Sequence, residues 1–140
     1  MRRVLIVANQ TLGGAELQRE IADRSAAEPC EFWVLVPATP MSDQVVPKGF
    51  TPEDGTKVAE VRLDQELSRL RALGVSADGE IGDPDPLEAI RDTLDVRDFN
   101  EIILATLPQG ASRWLRQDLV HRVQRKFPLP VTHVVSAAPS

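Results

Sequence analysis

The chain has no tyrosine, and only two tryptophans and four phenylalanines among its 140 residues. A surface that stacks successive bases needs more aromatic rings than that, so single-stranded nucleic acid is excluded as a partner. A single cysteine, Cys30, excludes a disulfide framework, and no metal-ligand spacing occurs. Long apolar runs are also missing. The first apolar run, Val4–Ala8, follows directly on Met1-Arg2-Arg3 and is far short of the ~20 residues that span a bilayer. It is equally too short for the apolar region of a secretory signal. The expectation is a cytoplasmic protein with no membrane partner.

Charge is present but uneven. The formal net charge is −5, yet residues 1–107 hold 11 basic and 20 acidic side chains while residues 108–140 hold 5 and 1. The acidic bulk repels DNA and anionic membrane. The basic C-terminal segment reads as a solvated helix face, with a small anion or the acidic face of another subunit as the alternative.

Apolar runs and amphipathic stretches alternate along the chain. Val4–Ala8 is continuous and β-branched, as in a parallel sheet covered on both faces. Thr11-Leu12-Gly13-Gly14 turns into a helix through Ala27 whose inner face carries Leu17 and Ile21. Glu31–Ala38 is a second strand. The segment 39–55 holds three prolines and two glycines and reads as a mobile connector. A helix from Thr56 to Leu73 places Ala59, Leu63, Leu67 and Leu70 at core spacing, and Gly74 stops it. Val75–Ile81 is a weak third strand. Asp85-Pro86-Leu87-Glu88 has the composition of a capped helix start. Glu101–Thr106 contains the fourth strand. Ala111, Leu115, Leu119 and Val123 repeat every four residues, which predicts one helix ending near Lys126, and Val131–Val135 is the fifth strand. The pattern predicts a single domain over residues 1–136 with a disordered tail at 137–140. The expected fold class is α/β: a doubly wound sandwich on a five-stranded parallel sheet, order 3-2-1-4-5, with helices on both faces. Ligands of such sheets lie beyond the carboxyl ends of the strands.

Two stretches and the first strand carry a family resemblance. Gly82-Asp83-Pro84 followed by Glu88-Ala89-Ile90 resembles the third-strand exit of universal stress proteins. Glu101–Val135 resembles that family's C-terminal unit, and Val4–Ala8 with Asn9-Gln10-Thr11 resembles its first strand and ligand-facing turn. The likeness spans the chain except for residues 39–55. It implies a small-ligand-binding or regulatory domain. The corresponding cleft is formed by Asn9, Thr11, Ala38, Gly82, Asp83, Gly110, Ser112 and Arg113, with ATP or another nucleotide as the candidate ligand and a homodimer paired through the fifth strand.

The chain also departs from the family. Nucleotide-binding members end the first strand in an Asp, where Asn9 stands here. They carry G-x2-G-x9-G-S/T after the fourth strand, where this chain has Gly110 alone and then Gln117-Asp118. Glycines let backbone N–H groups reach phosphate oxygens, and Asp118 would oppose them. Nucleotide binding is therefore expected to be weak or absent, unless Ser112, Arg113 and Arg116 at the next helix start hold an anion. The alternative is a dimeric interaction module without a nucleotide; a nucleotide-dependent enzyme of the same superfamily ranks last.

Other chemistries fit less well. Thr11-Leu12-Gly13-Gly14 lacks the Asp-Ser that would complete a pyrophosphate loop, and reads as a tight turn. A receiver domain needs an acidic cluster and a Lys where Asn9-Gln10 and Ser136 stand. A flavodoxin needs hydroxyl-rich turns and ring partners. His121 and His133 have no nucleophile motif beside them, and Cys30 reads as a packing residue. No enzymatic activity is expected.

Overall fold

A computed structural model describes residues 1–38, 55–108 and 112–136, with the side chains of Thr56, Arg113 and Arg116 outside the description. Residues 39–54, Gly110 and the 137–140 tail therefore lie outside the described residues. Gly55 opens the second helix. The elements are β1 (Arg2–Val7), α1 (Ala15–Ala27), β2 (Cys30–Pro37), α2 (Gly55–Ala72), β3 (Ser76–Gly82), α3 (Pro86–Val96), β4 (Glu101–Thr106), α4 (Arg113–Arg116), α5 (Leu119–Lys126) and β5 (Val131–Val135). The five strands form one sheet in the order β3-β2-β1-β4-β5, and every pairing is parallel. This is the doubly wound order that the alternation of strands and helices predicts.

Strand β1 is central, with Val4–Val7 paired to Phe32–Leu35 on one side and to Glu101–Leu104 on the other. Its residues alternate between two cores because successive side chains point to opposite faces. Val4 and Ile6 pack with Leu17 and Ile21 of α1 and with Leu63, Leu67 and Leu70 of α2. Leu5 and Val7 pack with Leu87 and Ile90 of α3 and with Leu119 and Val123 of α5. Burial on both faces explains why this strand is apolar without interruption.

Local signals account for the helix ends. Asp85 accepts a hydrogen bond from Leu87 N at 3.0 Å, and Pro86 follows at the first helical position. Glu88 does not close the capping box; it pairs with Arg91 instead. Gly74 has φ +80° and terminates α2 with its N–H on Arg71 O. Cys30 is buried, and that burial raises its thiol pKa, as befits an inert packing residue.

The fourth crossover differs from its expectation. One helix from Ala111 to Lys126 is predicted by the four-residue repeat, but α4 and α5 are separate. Asp118 breaks the run with φ +56°. α5 still puts Leu119 and Val123 against the sheet. Asp118 then bonds forward to His121 at 2.8 Å, and that local bond competes with helical continuation.

The N-terminal ends of the strands are joined by charge. Glu101 is buried at the start of β4, between Arg2 and Arg24. Arg24 Nε lies 2.6 Å from one carboxylate oxygen, and the same guanidinium reaches Glu20 and Thr132 Oγ1. The group ties β1, α1, β4 and β5 together. Removing one partner of such a group leaves the others uncompensated. Glu101→Ala is expected to cost about 3 kcal/mol, measured by urea unfolding. A loss below about 1 kcal/mol would show that solvent satisfies both arginines.

Candidate functional site

The carboxyl ends of β1, β4 and β5 meet in a buried polar layer of Asn9, Thr11, Thr106, Ser112 and Ser136. It lies at the switch point between β1 and β4, where chains of this architecture receive ligands. Each hydroxyl or amide in it is already engaged. Asn9 Nδ2 donates to Pro37 O at 2.8 Å, and Asn9 Oδ1 accepts from Arg62 at 2.7 Å. Thr11 Oγ1 donates to Ala105 O. Ser112 Oγ accepts from Leu115 N and caps α4. Ser136 Oγ donates to Glu16 at 2.6 Å and holds that carboxyl below its ordinary pKa.

Of the eight residues named from the sequence, Asn9, Ala38 and Gly82 are linked. Asn9 bonds Pro37 O, and Ala38 N donates to Gly82 O at 3.1 Å. Gly82 is needed for packing: a Cβ there would collide with Leu35 and Ala89, so glycine lets α3 approach the sheet. Asp83 accepts from Asp85 N at 2.8 Å and shapes the turn into α3. Thr11 and Ser112 belong to the buried layer. Arg113 opens α4, which is a single turn of four residues. Gly110 falls outside the described residues.

The β1–α1 turn holds what the sequence did not reveal. Gly13 adopts φ +84°, a conformation that favours glycine. Its N–H donates at 2.9 Å to Glu66 Oε2 of α2. Gln18 Nε2 donates to both oxygens of the same carboxylate at 2.9 Å, and Arg69 reaches it at 3.2 Å. Glu66 is 1% exposed. A helix-start turn with convergent donors suits an anion, and this one holds an anion supplied by the chain itself. Beside it, burial lowers the pKa of Arg62. Sequence reasoning missed Arg62 and Glu66, although a signal existed. Glu66 falls on the α2 stripe of Ala59, Leu63, Leu67 and Leu70, and a charge at such a position needs a buried partner.

Thr106 Oγ1 and His133 Nε2 are 2.8 Å apart. The pair has the spacing of a hydroxyl and a base, but Thr106 is 1% exposed and its hydroxyl is engaged by the ring. Among the described residues no group of three or more His, Cys, Asp or Glu side chains could hold a metal ion. No described helix is long and apolar enough to cross a membrane.

Desolvation lowers the pKa of His133 from its ordinary 6.5. The unfolded chain then binds more protons than the folded one just below that pH. The contribution is fully present above pH 6.5 and is lost as the pH falls through the lowered folded value. His133→Gln lacks this component. Chemical unfolding from pH 7.5 to 5 is expected to show wild type losing stability relative to the variant. A constant difference between the two would refute the coupling.

No protein-family model matches the sequence, and no curated protein matches it. The structure is similar to the crystal structure of a protein from the universal stress protein family from Burkholderia pseudomallei. The two superpose with a TM-score of 0.54 at 13% identity, over 94% of each chain. At that identity the likeness is one of fold: this chain has the α/β fold of that universal stress protein family structure.

Proposed function

We propose that this domain is a non-catalytic regulatory module that takes no nucleoside triphosphate at its first turn and acts as a homodimer through β5. The observation that carries the first part is the Glu66 carboxylate bonded to Gly13 N. A phosphate at that turn would have to displace the carboxylate that already takes the Gly13 N–H and is paired with Arg69, and breaking up a buried group of this kind costs about 3–5 kcal/mol. Micromolar affinity is about −8 kcal/mol, so such a penalty leaves affinity near the millimolar range. The internal bonds of Asn9 and Ser112 point the same way, since each would have to open for a base, ribose or phosphate to enter.

Assembly follows from the two sheet edges. Edge β3 is guarded on one face by Asp78 and Glu80, which are exposed. Edge β5 has fewer such guards. Thr132 is engaged by Arg24, and Val135 is 46% exposed. A second copy pairing there would satisfy both edges by one two-fold axis.

Two measurements test the proposal. Titration calorimetry with ATP and magnesium is expected to show no saturable heat below about 1 mM; a micromolar constant would overturn the first part. Light scattering is expected to give about twice the 15.4 kDa chain mass, and Val135→Lys is expected to shift it to one chain. A monomeric wild type at micromolar concentration would sink the second part.

A further inference from the structure

At the opposite end of the sheet from the buried polar layer, a groove of about 290 Å³ opens between the start of β2, the start of β3 and the segment that enters β4. It is a different site from the one in the proposed function. Its lining includes Trp33, Phe99, two arginines and two carboxylates. The charges are unequal in their partners. Arg3 lies 3.6 Å from Glu31, and Asp78 lies 3.6 Å from Arg71. Those four charges cancel in pairs. Arg97 has no ion pair among the described residues; its guanidinium lies 3.7 Å over the ring of Trp33.

A second observation concerns the same ring. Trp33 Nε1 is buried and has no hydrogen-bond partner among the described residues. Buried donors are normally satisfied, and an unmet one is costly. An unpaired guanidinium and an unmet indole N–H in one groove both call for an acceptor. The stacked Arg97 keeps its donors in a fixed plane, which suits a carboxylate. The groove volume is at the lower end for small-molecule sites, so the fitting ligand is compact.

We infer that this groove binds a small carboxylate, with the Arg97 guanidinium and the Trp33 indole N–H as its donors. In a chain of net charge −5, and within its acidic segment, a site for an anion must be built locally, and Arg97 on Trp33 supplies it.

The chain has two tryptophans, so nitrogen-labelled protein shows two indole N–H resonances, assigned by Trp114→Phe. Benzoate is the probe, with benzamide and benzylamine as neutral and cationic comparators. Benzoate is expected to move the Trp33 indole resonance downfield saturably, with a midpoint on the order of 1 mM for so small a ligand. Benzamide is expected to act more weakly and benzylamine not at all. Arg97→Gln, an exposed position, is expected to weaken benzoate about tenfold and to lower the thermal midpoint by no more than a few degrees through loss of the stack on Trp33. Arg97→Lys is expected to recover part of the loss. The inference fails if benzylamine binds as well as benzoate, or if Arg97→Gln keeps full affinity. It fails equally if the Trp114 resonance moves in place of Trp33, or if neither moves up to the solubility limit of benzoate.

Discussion

A carboxylate that is 1% exposed must find its full set of donors inside the protein, and the donors that Glu66 finds organise the carboxyl end of this fold. Gly13 has to turn its N–H toward α2, which is why the β1–α1 connection adopts a positive φ. Gln18 comes from α1 and Arg69 from α2 itself, so one carboxylate fixes the two helices of that face relative to the central strand. The apolar contacts of Leu63, Leu67 and Leu70 hold α2 against the sheet but do not set its rotation. A polar contact with four specific bonds does, because its geometry is narrow.

The same economy recurs at both ends of the sheet. Glu101 gathers Arg2 and Arg24 at the amino ends of the strands, and Glu16 takes the Ser136 hydroxyl at the carboxyl ends. Groups that a ligand would otherwise meet are spent on structure. Among the described residues the buried side-chain donor without a partner lies elsewhere, at the indole of Trp33 beneath Arg97. A fold does not fix where its function sits, and here the unsatisfied chemistry is at the pole opposite to the one that the topology favours.

Much of the fold was legible from local pattern. β5 runs over Val131–Val135 as read from its apolar run and the proline before it, and Glu101–Thr106, read as containing the fourth strand around Ile102–Ala105, is β4. Asp85 and Gly74 mark helix ends by capping chemistry that acts over a few residues. The break at Asp118 was not legible. Spacing at 115, 119 and 123 satisfies a continuous helix equally well, and the left-handed turn at Asp118 leaves no mark on that spacing. The candidate site was legible only as a location. Asn9, Thr11 and Ser112 are at the carboxyl ends as expected, but their bonds to Pro37, Ala105 and Leu115 depend on three-dimensional closure. The Trp33–Arg97 stack joins residues from different elements whose meeting no periodicity encodes.

The central place of β1 has a consequence for the order in which the chain can complete itself during synthesis. Val4–Val7 pair with β2 on one side as soon as Phe32–Leu35 emerge, but their other edge belongs to Glu101–Leu104. About 100 residues must be translated before that edge is closed, on the order of 5–20 s at ordinary elongation rates. During this interval the central strand presents unpaired backbone groups to solvent or to other nascent chains. The early three-strand half, β3-β2-β1, is thus complete on its acidic side and open on its apolar side.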